Sequence, residues 1–356
     1  MNPLDLVRPE VRSLRPYTIT HATARVKLDA NESPYDVPEA IAGEIAHNLR
    51  QVALNRYPDP AAAKLKEMIG RTLRVDPGSL MLGNGSDELI SYLITTFTGQ
   101  EKGVLFPTPT FAMYGITAAA LGQRTIEVPL GDDFGLDPDP FLQAVHESSP
   151  QLVFLATPNN PTGNAFPGDL ILRILDEART MVVVDEAYID YSREAGFLQS
   201  VKSFPNLVIL RTLSKIGMAA LRIGILCANP RVLAELEKVR LPYNINSYSQ
   251  AAASAILGHW EILEDQVARI VSQREQMEKA MAAIPEIRVF PSKANFILFK
   301  TGSADRLYGH LCGKGILIRN LNQPGALEGC LRVTVGKPEE NREFLEHLTA
   351  YFAINC

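Results

Sequence analysis

From residue 38 onward the apolar positions follow two alternating rhythms. Ile41, Ile45 and Leu49 recur at helical spacing, which predicts an amphipathic helix over 38–50, and a second helix is expected over 60–74. Strand-like apolar runs follow at 79–82, 103–106, 125–128, 151–156, 181–185, 207–211 and 223–228, with helices expected over 86–97 and 111–122. Ser86 is well placed as the N-cap of the first of these, with Asp87 and Glu88 in its first turn. Val182-Val183-Val184 is a continuous β-branched run, as in strands covered on both faces. Strand–helix alternation at this length predicts an α/β core: a mostly parallel sheet flanked by helices.

The two ends differ from this core. Residues 1–37, punctuated by Pro3, Pro9, Pro16 and Pro34, read as an arm with at most one short helix. Residues 246–283 contain no proline and read as one long helix or two abutting ones. They lead into a smaller α+β C-terminal module, with strands near 287–300 and 331–335 and helices near 304–313 and 338–352. The expected division is an arm (1–37) packing with the small domain and a partner subunit, a large domain (38–245), and a bridging helix with a small domain (246–356).

Composition narrows the class. The chain has 356 residues, 46% of them apolar and 21% charged, which excludes disordered, collagen-like and coiled-coil proteins and suits about two domains. The net charge of -5, without a basic block, argues against nucleic acid or an anionic membrane as partner. No apolar run is long enough to span a membrane. Cys227, Cys312, Cys330 and Cys356 form no C-x-x-C pair and the histidines are scattered, so no metal site is expected. Few cysteines, and a start lacking the basic-then-apolar order of a signal peptide, lead to the expectation of a cytoplasmic protein.

Four short stretches carry candidate chemistry, each just after an expected strand. Gly83-Asn84-Gly85-Ser86-Asp87 puts two glycines between strand and helix, a turn that either cradles an anion or is an ordinary cap; it is not a dinucleotide fingerprint. Asn159-Asn160-Pro161-Thr162-Gly163 offers an amide at a ligand-binding edge, or is a plain turn. Asp185 ends a buried strand, where an ionised carboxylate needs a cationic or N–H partner. That partner is a protonated cofactor ring nitrogen, unless the residue holds a metal or caps a helix. Lys215, in Thr212-Leu213-Ser214-Lys215, is a candidate amine nucleophile or a solvated loop lysine, with Ser214 and Arg222 suited to clamping phosphate. Cradle, amide, carboxylate and lysine together match pyridoxal 5'-phosphate, whose aldehyde needs a lysine and whose ring nitrogen needs an acid.

The same stretches, with Leu28-Asp29-Ala30-Asn31-Glu32, Asn55-Arg56-Tyr57-Pro58 and Leu331-Arg332-Val333-Thr334-Val335-Gly336, resemble the fold-type I pyridoxal-phosphate aminotransferases. Within them the chain is similar to the histidinol-phosphate aminotransferase family over essentially its whole length. The resemblance implies that Lys215 holds the cofactor covalently, Asp185 pairs with its ring nitrogen, and Asn160 and Tyr188 face its phenolic oxygen. It places the phosphate on Ser86, Asp87, Ser214 and Arg222, joined by Tyr57 from the partner of a homodimer with shared sites. It assigns Arg332, helped by Arg319 and by Tyr17 of the arm, to the substrate's acidic end, and Tyr243 to the imidazole side.

Two departures stand out. The ring-stacking aromatic, commonly Tyr in the family, is Phe111 here, which keeps stacking but loses a hydroxyl that Tyr114 is placed to replace. The spacing from Lys215 to Arg222 is one residue shorter than in some members.

The implied reaction is a two-stage transamination between L-histidinol phosphate and 2-oxoglutarate, giving imidazole-acetol phosphate and glutamate, and running in reverse in histidine biosynthesis. The alternatives are a broad aromatic aminotransferase, a phospho-amino-acid decarboxylase on the same fold, or a non-catalytic ligand sensor. The last is disfavoured because the Pro-rich arm has no room for a helix-turn-helix.

Overall fold

The computed structural model describes residues 1–14, 16, 24–99 and 102–355. Tyr17, expected at the substrate's acidic end, lies outside them. Twelve strands are assigned among the described residues, numbered β1 (Val26–Leu28), β2 (Leu80–Asn84), β3 (Val104–Thr108), β4 (Thr125–Pro129), β5 (Leu152–Ala156) and β6 (Met181–Asp185). They continue with β7 (Leu207–Thr212), β8 (Ile223–Ala228), β9 (Arg288–Phe290), β10 (Phe296–Lys300), β11 (Ile316–Asn320) and β12 (Cys330–Thr334).

The larger sheet has the order β2-β8-β7-β6-β5-β3-β4. Its neighbours pair parallel except at β8, which runs against both β2 and β7. The unbroken apolar runs have a direct cause. Successive side chains of a strand point to opposite faces, and here both faces are covered. Val153, Leu155, Val182, Val184, Leu207 and Ile209 join one hydrophobic layer. Their neighbours Leu152, Phe154, Val183, Val208 and Leu210 join the other. Helices Ser86–Phe97 and Met113–Ala120 cover the second face, and Ala63–Leu73, Pro138–Ser148 and Gly168–Glu177 cover the first.

The smaller sheet has the order β1-β11-β12-β10-β9. Its edge strand β1 comes from the N-terminal segment and pairs parallel with β11, Leu28 opposite Ile318. A Pro-punctuated arm gave no sign of this strand, which is three residues long and held by pairing with a distant segment. Helices Ala304–Gly313 and Pro338–Asn355 bury Leu307, Leu311, Phe344 and Leu348 against this sheet.

The proline-free stretch 246–283 takes the second of its two readings, abutting helices Ser247–Leu257 and Trp260–Ala282 that meet at Gly258 and His259. Other sequence expectations are corrected. Ser86 is the first helical residue, not the N-cap; Gly85 holds the cap position at φ 82°. Helices Pro138–Ser148, Gly168–Glu177 and Pro230–Leu236 and strand β11 were not anticipated. Asp137-Pro138 and Asn229-Pro230 signal two of those helices, since each cap side chain accepts an N–H two residues on and proline suits the first turn.

Candidate active site

Strand direction decides where the four candidate stretches go. β2, β5, β6 and β7 run the same way, so their carboxyl ends share one edge; β8 runs oppositely and begins at that edge. Register places Ala156 beside Asp185, Thr212 beside Gly224, and Asn84 beside Ile223. The turns after β2, β5, β6 and β7, and the residue before β8, therefore open into one cleft of about 240 Å³. Ligands of open α/β sheets bind at this kind of edge. Ser86, Asp87, Phe111, Asn160, Asp185, Tyr188, Ser214, Lys215, Arg222, Arg319 and Arg332 all line it.

One end of the cleft is an anion cradle. Ser86 and Asp87 begin a helix whose first-turn N–H groups lack helical acceptors. Gly85 enables the turn by taking a positive φ, and the Arg222 guanidinium lies against it where a Cβ would otherwise project. Arg222, itself left-handed at φ 54°, accepts the Gly85 N–H on its carbonyl at 2.7 Å. Its Nη1 donates to Ser214 Oγ at 3.4 Å, and Nη2 lies 3.7 Å from Asp87 Oδ2. The shorter spacing from Lys215 still brings Arg222 to the cradle.

Asp185 is buried at the end of β6. Its Oδ2 accepts the Tyr114 hydroxyl at 2.6 Å and Oδ1 accepts the Ala187 N–H at 3.0 Å. Among the described residues, no cationic side chain lies within salt-bridge distance of it. Burial raises its pKa to about 6, outweighing both hydrogen bonds and the pull of Lys215. Its neighbour Glu186 contrasts with it, being paired with Arg211 at 2.8 Å. A buried carboxylate without a cation, facing a cleft, fits a ligand that brings its own positive charge.

Lys215 Nζ is 3.4 Å from the Ala30 carbonyl oxygen and 5.8 Å from the centre of the Tyr188 ring. Its own carbonyl accepts the Tyr191 hydroxyl at 2.6 Å, which holds the turn after β7. The Tyr188 hydroxyl accepts from Asn31 Nδ2 at 3.0 Å, leaving its proton for an acceptor in the cleft. Phe111 stands edge-on to Tyr114, the ring centres 5.6 Å apart.

At the far end, Arg319 and Arg332 are opposed across β11 and β12. Arg332 donates to Asn160 Oδ1 at 2.5 Å and to the Asp29 carbonyl at 2.8 Å, and its guanidinium lies over Phe296. Asn160 is thus in the cleft as expected, with its oxygen on Arg332. Like charges directly opposite across a sheet are unfavourable; an anionic ligand held between them offsets that cost.

Tyr57 and Tyr243 are not brought to their own chain's cleft. They stack on each other at 4.4 Å, with Tyr57 79% exposed. Sequence reading missed Asn31 as a partner for Tyr188 and the Asp29 and Ala30 carbonyls. Their stretch was noted, but only pairing of β1 with β11 carries it to the site.

Comparison with known proteins agrees with this arrangement. Residues 23–348 match the family "Aminotransferase class I and II". The chain is 42% identical over 348 residues to histidinol-phosphate aminotransferase 2 of Nitrosococcus oceani, covering 97% of this chain and 96% of the relative. It is 41% identical over 345 residues to the histidinol-phosphate aminotransferase of Aquifex aeolicus, covering 96% and 97%. The crystal structure of the Sinorhizobium meliloti histidinol-phosphate aminotransferase in complex with pyridoxal-5'-phosphate superposes with a TM-score of 0.87 at 25% identity, covering 96% of this chain and 95% of that one. The chain belongs to the class I and II aminotransferase family and, within it, to the histidinol-phosphate aminotransferases.

Proposed function

We propose that this chain transfers an amino group between L-histidinol phosphate and 2-oxoglutarate with pyridoxal 5'-phosphate, working in the reverse direction in histidine biosynthesis. One observation carries the reading: a single cleft holds a lysine, a buried carboxylate lacking a cation, an anion cradle and a pair of opposed arginines. Bound there, the cofactor supplies an aldehyde for the substrate amine and a ring that withdraws electrons from its Cα.

The chain's residues do the rest. Lys215 Nζ anchors the cofactor and, once released, takes the Cα proton of the substrate. The Asp185 carboxylate would accept a hydrogen bond from the protonated ring nitrogen, and Tyr188 would donate to the phenolic oxygen, with Asn160 beside it. Ser86, Asp87, Ser214 and Arg222 hold the phosphate, while Phe111 covers the ring face. Arg319 and Arg332 take the substrate's phosphate in one half-reaction and the distal carboxylate of glutamate in the other.

Arg332→Ala is expected to lower kcat/KM about tenfold to a hundredfold for both histidinol phosphate and glutamate, because one guanidinium serves each in turn. Steady-state rates with each donor check this, and a loss confined to glutamate would place the phosphate on other residues. Product analysis separates the rivals: release of CO2 marks a decarboxylase, and equal rates with aromatic amino acids a broad aminotransferase.

The exposed stack of Tyr57 on Tyr243, beside exposed Leu54 and Leu241, supports a homodimer in which Tyr57 completes the partner's site and Tyr243 borders its imidazole side. Mixing Tyr57→Phe with Lys215→Ala protein is then expected to restore activity above either parent, since each mixed dimer keeps one site free of both lesions. Subunit exchange without recovery would put Tyr57 outside the partner's site. The division into an arm (1–37), large domain (38–245) and small domain (246–356) is part of the same proposal, as is a cytoplasmic location, which suits the free Cys227, Cys312 and Cys330.

A further inference from the structure

The hydroxyl that Phe111 lacks is present three residues later on Tyr114, which also lines the cleft but whose hydroxyl is bonded to Asp185. Tyr114 is wholly buried, its ring stacked on Phe154 with centres 4.5 Å apart and planes 16° from parallel. The Phe111 ring meets it edge-on at 86°, and Phe106 packs against it at 6.2 Å. These three rings hold the Tyr114 ring in place, and its hydroxyl donates to Asp185 Oδ2 at 2.6 Å.

We propose that Tyr114 is a positioning residue for the reaction: its hydroxyl holds the Asp185 carboxylate ionised and in one orientation, so that the cofactor's ring nitrogen rather than Asp185 keeps their shared proton. This rests on the pyridoxal-phosphate reading above. A carboxylate and a pyridine nitrogen facing each other in a buried site compete for one proton. Burial and the negative charge of Asp87 favour placing it on Asp185; the Tyr114 hydroxyl, the Ala187 N–H and the charge of Lys215 oppose that. Of these, the Tyr114 hydroxyl bond is the shorter of the two made directly to the carboxylate. Burial also keeps the phenol protonated, so it acts as a donor throughout.

Tyr114→Phe removes one oxygen and keeps the packed ring. The holoenzyme of this variant is to be reconstituted with pyridoxal phosphate labelled with nitrogen-15 in the ring. The expected result is a ring-nitrogen resonance displaced toward that of neutral pyridine, with kcat about tenfold lower and KM for the amino donor changed by less than about twofold. In an Asp185→Asn background, adding Tyr114→Phe is expected to change kcat and cofactor retention by less than about twofold, since its only route of action is already cut. An unchanged resonance, or losses that multiply in the double variant, would overturn the role of Tyr114. If Tyr114→Phe alone sheds the cofactor, retention in the double variant equal to that of Asp185→Asn supports the proposal, and a further loss overturns it. A wild-type protein that takes up no pyridoxal phosphate gives no ring-nitrogen signal and overturns the functional reading, and this proposal with it.

Discussion

Lys215→Ala is expected to abolish turnover, by at least about 10⁴-fold, and to remove the yellow absorbance of the lysine-bound cofactor. In the proposed reaction two roles fall on one nitrogen: anchoring the cofactor and carrying the Cα proton. Among the described residues, Lys215 is the lysine that lines the cleft, and the turn that presents it is tied down by Tyr191. The cradle of Ser86, Ser214 and Arg222 is untouched by the substitution, so the variant is expected still to take up cofactor through its phosphate. Absorbance spectra and single-turnover rates of the reconstituted variant check both halves of the expectation. Retained turnover with wild-type absorbance would move the anchor to another residue.

Asp185→Asn is expected to bind cofactor and still lose about a hundredfold to a thousandfold in kcat, as when a preorganised electrostatic partner is removed from an active site. The amide keeps the shape and can hydrogen-bond the ring nitrogen, but it has no charge to keep that nitrogen protonated. The environment makes the loss hard to compensate: Glu186 is occupied by Arg211, and Asp87 faces Arg222. In the cofactor-free protein the Asp185 carboxyl takes up a proton as pH falls through about 6, because burial disfavours its charge. A bound cation pulls that titration downward. Wild-type cofactor affinity is therefore expected to show an Asp185-dependent inflection that Asp185→Asn lacks, measurable by equilibrium dialysis across pH. A near-wild-type rate for Asp185→Asn would show that another group holds the ring proton.

Much of the site was legible because its parts are local. Each candidate stretch pairs an apolar run with the residues just past its end, so Asp185, Ser214, Lys215 and Asn160 could be placed at strand ends from the linear pattern. The Gly85 turn was legible for a related reason: a tight strand-to-helix turn favours glycine, which takes the positive φ found there. What escaped was non-local. β1 is a three-residue strand whose partner lies almost 300 residues away, opposite Ile316–Ile318, and no periodicity marks so short an edge. With it went the Asn31 contact to Tyr188 and the Asp29 carbonyl contact to Arg332. Tyr114 was seen as a spare hydroxyl, while its target, Asp185, depends on how helix Met113–Ala120 packs on the sheet.

The sequence by itself determined the strand and helix rhythm, the burial of the central strands, and the residue types offered at their ends, because these follow from neighbours along the chain and from side-chain chemistry. Only the tertiary structure decided which ends face one another. The reversal of β8 brings Arg222 to the same edge as Ser86, Asp185 and Lys215, and the pairing of β11 with β12 opposes Arg319 and Arg332. The physical reason is that strand order and direction are set by long-range packing and hydrogen bonding between segments. A turn sequence reads the same whether its strand runs with its neighbours or against them.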